Sequence, residues 1–146
     1  MAPQRAATYS SSMRYQRAEL PLKLDGLEAA RGFFAGCFAD ADPNVESLWV
    51  AHVDDQARCV HLTRHGGNAA SVPFPLHSII ADAAAHRSAG LVLAHNHPSG
   101  DATPSATDRA ATKRLASAAE ALDCTVVDHL VFAGGQCTSL RRMGLL

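Results

Sequence analysis

The chain has 146 residues, enough for one domain with a buried core, and its thirteen basic residues nearly cancel its fourteen acidic ones, for a formal net charge of -1. That balance excludes a chain-wide electrostatic footprint for nucleic acid, so a role on DNA would need a local patch. No run approaches the roughly 18 apolar residues of a membrane span, and 47% hydrophobic but only 5% aromatic residues suit alanine-rich helices packed on a sheet.

In chain order, residues 1–17 contain Ser and Arg but no acid, and lack the apolar core of a secretory signal. Residues 1–23 read as a flexible N-terminal tail, with the domain expected over 24–146. The spacing of Leu27, Ala30, Phe33, Phe34 and Phe38 predicts a helix over 24–39, with Asp25 as its candidate cap. Asp40-Ala-Asp-Pro43-Asn44 ends it. Residues 45–53 are strand-like, Asp54-Asp55-Gln56 is a turn, and 57–63 form the second strand of an antiparallel hairpin. Residues 64–68 read as loop and 69–72 as a short third strand, before Pro73-Phe-Pro75 and a helix over 76–87. Gly90 then opens a central strand.

That strand leads into the most informative stretch. Residues 91–94 are apolar and strand-forming; His95-Asn-His97-Pro-Ser-Gly100 and Pro104 interrupt regular structure until Ser105-Ala-Thr-Asp108 starts a helix running to about residue 122. Side chains alternate on an extended chain, so His95 and His97 share one face while Asn96 takes the other. Ser105 and Asp108 have capping-box spacing, which needs no chemistry to explain it. A first-turn Asp also faces the loop it came from, toward the histidines. Two neutral imidazoles and a carboxylate are three ligands of the kind zinc accepts, with a fourth position left for water. Beyond this helix come a strand over 125–132, a Gly134-Gly135 turn and a partner strand over 136–140. The order of elements predicts an α/β fold, a mixed sheet flanked by helices.

A His-x-His pair alone carries little weight. The longer string His95-Asn-His97-Pro-Ser-Gly, Pro104-Ser105 and Asp108 resembles the JAMM motif of JAB/MPN-domain metalloproteins, in particular the JAB domain of the bacterial RadC family. The resemblance runs from about Val45 to the C-terminus and takes in Glu46, Asp128-His129 and the closing Ser139-Leu-Arg-Arg-Met-Gly-Leu-Leu. It implies a JAB/MPN (cytidine-deaminase-like) fold, with His95, His97 and Asp108 as zinc ligands, Glu46 as general acid/base and Ser105 as a donor to the oxyanion. It implies a zinc-dependent hydrolase of peptide, isopeptide or related amide bonds, working in some cases only with a partner protein that completes the groove. Phe74-Pro-Leu-His77 departs from the His-Pro-Arg-Glu typical of RadC proteins, and the residues before Val45 are too few for their N-terminal helix-hairpin-helix region plus a leading helix.

The residues also have plainer readings. Without the resemblance Glu46 is an acid at the start of a strand, and His129 is as readily a structural histidine as a support of the site. His52, His61, His65, His77 and His86 lie in separate elements and are expected on the surface or hydrogen-bonded in the core. Cys37, Cys59, Cys124 and Cys137 form no C-x-x-C and read as small core residues in a reducing cytoplasm. The competing function is a DNA-repair-associated or protein-interaction module with a structural or vestigial zinc site. A zinc deaminase is excluded, because its His-x-Glu and Pro-Cys-x-x-Cys are missing, and the literal His-Asn-His is not an HNH nuclease signature.

Overall fold

The computed structural model describes residues 22–66 and 74–146. The strand expected over 69–72 and nearly all of the tail expected over 1–23 lie outside these residues. The described elements are α1 (Leu27–Ala39), β1 (Ser47–Val53), β2 (Cys59–Gly66), α2 (Leu76–Ala85), β3 (Gly90–Asn96), α3 (Ala106–Glu120), β4 (Thr125–Ala133) and β5 (Gln136–Ser139). The strands form one mixed sheet in the order β2-β1-β3-β4-β5. β3 and β4 are parallel, joined by the α3 crossover, while the other neighbours are antiparallel. The expected α/β architecture and the β1–β2 and β4–β5 hairpins are therefore present.

Alternation along the strands divides the core into two layers. Trp49, Ala51 and Val53 of β1 join Val92 and Ala94 of β3 beneath Ala30, Phe34 and Cys37 of α1. Val50, Leu91 and Leu93 face the other way, against Ile79 and Ala83 of α2 and Leu115 and Ala119 of α3. β3 is thus buried on both sides, which is why it reads as a continuous apolar run.

Several boundaries differ from the sequence reading, and those of α1, β2 and α2 have local reasons. The helix predicted from residue 24 starts at Leu27, and Asp25 makes no cap: Gly26 holds that position. Leu24 is instead kept extended and buried by its N–H bond to Ala57 O at 2.8 Å. The first hairpin turn is longer than Asp54-Asp55-Gln56, because Asp54 Oδ1 accepts the N–H groups of both Gln56 and Arg58 at 2.9 Å while Ala57 adopts φ +64°. β2 consequently starts at Cys59 and runs through the expected 64–66 loop, paired as far as Gly66 with Ser47. Finally, α2 stops at Ala85 because Arg87 turns left-handed (φ 51°) and Ser88 N–H reaches Ala83 O at 2.9 Å, a Schellman-type end.

All four cysteines are free, with Cys37 and Cys124 buried. Burial pushes the Cys37 thiol up to about 12, so it behaves as a small apolar core residue. Among the described residues no helix is long and apolar enough to cross a membrane. The α1 layer rests on Phe34, which is fully buried and meets Phe33 edge-on with ring centroids 5.1 Å apart. Phe34→Ala is expected to cost about 3–5 kcal/mol in urea unfolding. Leu122→Ala, at a position 37% exposed, should stay within about 0.5 kcal/mol of wild type.

Candidate metal centre

The site lies where β3 ends and α3 begins. His95 shares its sheet face with Leu91 and Leu93, the face that α3 covers. The loop after it is shaped by His97 Nδ1, 2.7 Å from Asp101 O, and by Gly100 at φ 89°, which lies under the β4–β5 turn. A Cβ at Gly134 would come within 3.3 Å of Gly100 O, and Gly134 itself has φ +55°, so glycine permits both the turn and its close seat on the loop.

α3 opens with a complete capping box: Ser105 Oγ accepts Asp108 N–H at 3.0 Å, and Asp108 Oδ2 accepts Ser105 N–H at 2.8 Å. The same Oδ2 stands 3.0 Å from His97 Nε2 and 3.3 Å from His95 Nε2, and the two nitrogens are 2.9 Å apart. His95, His97 and Asp108 are therefore brought together in a group that could hold a metal ion.

Hydrogen-bond directions fix the chemistry of the three atoms. Thr112 hydroxyl donates to Asp108 O at 2.7 Å, so at its other contact, 2.7 Å from His129 Nδ1, it must accept. His129 therefore carries its proton on Nδ1. Burial, with His95 next to it, pushes its pKa down to about 3, so its Nε2 stays bare. That nitrogen, 2.7 Å from His95 Nδ1, must receive a proton from His95. In the neutral ring His95 Nε2 then carries the free lone pair. His97 Nδ1 can only donate to Asp101 O, so in its neutral ring the bare nitrogen is likewise Nε2.

Burial works against ionisation of Asp108, yet a proton shared with the facing His95, together with the hydrogen bond from Ser105 N–H, holds its carboxyl well below the usual carboxylate range. Three electron-rich atoms at 2.9–3.3 Å repel one another unless a cation sits among them. An added proton or a metal ion would meet that need. The donor set fits a metal, with second partners already orienting each imidazole.

Glu46 is exposed and lies one residue before β1. The β1–β3 register ends with Leu48 paired to His95, and extending it by two residues would set Glu46 opposite His97. If the alternation of β1 continued one residue past its start, Glu46 would share the face of Leu48 and Val50, the side of the metal-binding group. Ser105 is brought to the rim of that group through the capping box.

Two features had no sequence signal. Asn96 points to the opposite face, as its alternation predicts, but it is not idle there: its side chain accepts Ser47 N–H at 2.8 Å and donates to Val45 O at 3.0 Å. It clasps the backbone on both sides of Glu46. The second is a register shift in the β3–β4 pairing, where Leu91 meets Val126 but Val92 meets Asp128. The extra residue, Val127, reverses the alternation, so His129 and not Asp128 faces His95. Asp128 instead accepts His129 N–H at 2.7 Å and Ser139 Oγ at 2.6 Å, anchoring the C-terminal segment.

A mixed sheet covered on both faces, with a His-x-His pair ending one strand and an acid in the first turn of the next helix, defines an α/β protein with a three-donor candidate metal centre. The chain belongs to the RadC-like JAB domain family, which it matches over residues 25–145. It is similar to the UPF0758 protein YfjY of Escherichia coli (strain K12), with 32% identity over 137 residues, covering 93% of this chain and 76% of that protein. It is also similar to a UPF0758 protein of Verminephrobacter eiseniae (strain EF01-2), with 47% identity over 68 residues, covering 47% of this chain and 29% of that protein. The observed fold agrees with the JAB/MPN architecture that the motif implied.

Asn96→Ala would strand Ser47 N–H and Val45 O. It is expected to cost about 1–3 kcal/mol in urea unfolding and to speed amide exchange at Ser47. His129 gives a pH dependence. Its folded pKa of about 3 lies below the ordinary 6.5, so between these values the unfolded chain binds the extra proton. Stability from this group is complete above about pH 6.5 and is lost as pH falls toward about 3. In chelator-treated protein, His129→Gln should flatten the fall in stability between pH 6.5 and 4.5 by up to about 1.4 kcal/mol per pH unit, as read from urea unfolding.

Proposed function

We propose that this protein is a zinc-dependent metallohydrolase of the JAMM type, acting on a peptide, isopeptide or related amide bond. The observation that carries this reading is the convergence of His95 Nε2, His97 Nε2 and Asp108 Oδ2 at mutual separations of 2.9–3.3 Å. Ligands at roughly 2.0–2.1 Å from a tetrahedral zinc ion lie about 3.3 Å from one another, so little adjustment is needed. Two imidazoles and one carboxylate are a catalytic-type set, leaving one position open.

Bound zinc would supply a water that is nucleophilic near neutral pH, and would polarise the carbonyl under attack. The chain's own residues do the rest. Glu46 takes the proton from the attacking water and returns it to the leaving amine, a transfer that requires one group able to act as base and then as acid. Its exposure leaves it open to the substrate side, and the Asn96 clasp sets its backbone. Ser105 uses its oxygen as acceptor in the helix cap, which leaves its hydroxyl proton to donate to the oxyanion. The open side of the centre is where a substrate segment, or a partner protein completing the groove, would lie. Four unpaired cysteines suit a reducing cytoplasm. The DNA-repair-associated module is not favoured, because the net charge of -1 offers no broad attraction for phosphate.

Metal analysis tests this reading first. Wild-type protein should carry zinc that His97→Ala and Asp108→Ala lose while circular dichroism shows an intact fold. Glu46→Gln should retain the metal and lower amide hydrolysis by at least about 100-fold, the lower end of what general acid–base catalysis contributes. Wild-type protein that neither carries nor takes up zinc would reduce Ser105 and Asp108 to a helix cap.

A further inference from the structure

A second group of histidines lies away from this centre. His52 and His61 oppose each other directly across β1 and β2. Both face α2, because β1 sends Val50 and His52 to that side and Trp49, Ala51 and Val53 to the α1 side. α2 places Asp82 and His86, one helical turn apart, above them. His61 Nε2 lies 3.8 Å from Asp82 Oδ2, and the rings of His61 and His86 stack with centroids 3.9 Å apart and 18° between planes. One ligand atom each from His52, His61 and Asp82 falls within 4.8 Å of the other two. Residues expected to serve separate elements thus converge, although they come from a hairpin and a helix far along the chain.

His52 is the telling member. It is fully buried, and its Nδ1 is 2.8 Å from Ser88 Oγ, but its Nε2 has no hydrogen-bond partner. A buried ring nitrogen without a partner is costly, and no part of the amide-hydrolysis reading uses it. With Nδ1–H donating to Ser88, Nε2 presents a free lone pair. Burial, with His61 and His86 close by, pushes the His52 pKa down to about 3, so a proton does not fill that role near neutral pH. A metal ion, coordinated also by an imidazole and a carboxylate, would.

We propose that His52, His61 and Asp82 form a second metal site, selective for divalent transition ions that favour imidazole, zinc foremost. Calcium and magnesium are excluded by the donor set, since both prefer shells of oxygen. His86, exposed and stacked on His61, supplies the fourth donor after rotation of its ring. The ligands join β1, β2 and α2, so the ion acts as a clamp between the helix and the hairpin.

The test uses the full chain, stripped with chelator and titrated calorimetrically with Zn2+ alone. Because His97→Ala/Asp108→Ala removes the first donor set, that double variant isolates the second and keeps the outcome independent of the hydrolase reading. It is expected to bind one zinc, with affinity falling at least tenfold on adding Asp82→Ala or His61→Ala. Both side chains are partly exposed, at 35% and 29%, and the fold is checked by circular dichroism. No zinc binding by the double variant, or binding weakened less than tenfold by both added substitutions, overturns the proposal. A second measurement needs no variant: in 15N-labelled wild-type protein, zinc should shift the Nε2 resonance of His52. A His52 resonance unmoved at zinc saturation also overturns it.

Discussion

One carboxylate oxygen ties the helix start to the candidate centre. Asp108 Oδ2 accepts Ser105 N–H and at the same time faces both bare histidine nitrogens. The capping box fixes the Asp108 rotamer, so the geometry of the three-donor group follows from where α3 starts. Helix cap and metal ligand are thus not rival readings of the same residue. A carboxylate oxygen has more than one lone pair, and the cap takes only part of its capacity.

The layers around this point explain why the start of α3 is so well placed. Leu115 and Ala119 anchor α3 against Leu91, Leu93 and Val126, and Thr112 extends the same buried stripe to His129. Apolar packing sets the height of the helix over β3, and polar contacts at its first turns set its rotation. Both act on the end of β3 where His95 and His97 emerge. Ordinary packing thus positions the site before any ion is considered.

What could be read from the sequence was what depends on local order. Alternation placed His95 and His97 together and Asn96 opposite; the Ser105–Asp108 spacing located the helix start; Gly134-Gly135 marked the last hairpin. What escaped depends on contacts between distant segments. Asn96 has a role only because β1 lies beside β3 in a register that sets Ser47 against it. The Val127 bulge, invisible in a stretch that reads as an even strand, decides which of Asp128 and His129 meets the site. Asp25 fits the pattern of a cap, yet tertiary pairing of Leu24 with Ala57 delays the helix past it. The convergence of His52, His61 and Asp82 likewise needs a strand register and a helix docking that no sequence window contains.

The two histidine groups show opposite uses of burial. At the first centre every imidazole nitrogen that does not face the shared point is engaged: His95 Nδ1 by His129, and His97 Nδ1 by Asp101 O. The relay His95 to His129 to Thr112 ends on a backbone carbonyl, which can only accept, so all its protons point one way. The lone pair on His95 is therefore fixed by a chain of donors that starts at His95 Nδ1–H and ends at the backbone carbonyl of Asp108, itself the third member of the group. Proton order and donor geometry are one closed circuit, and breaking it anywhere alters both. At the second group Ser88 contacts His52 Nδ1 in a similar manner, with no further side-chain relay among the described residues. Its Nε2 is buried with no hydrogen-bond partner among the described residues, whereas at the first centre only the three atoms that face the shared point are left to be satisfied by a cation.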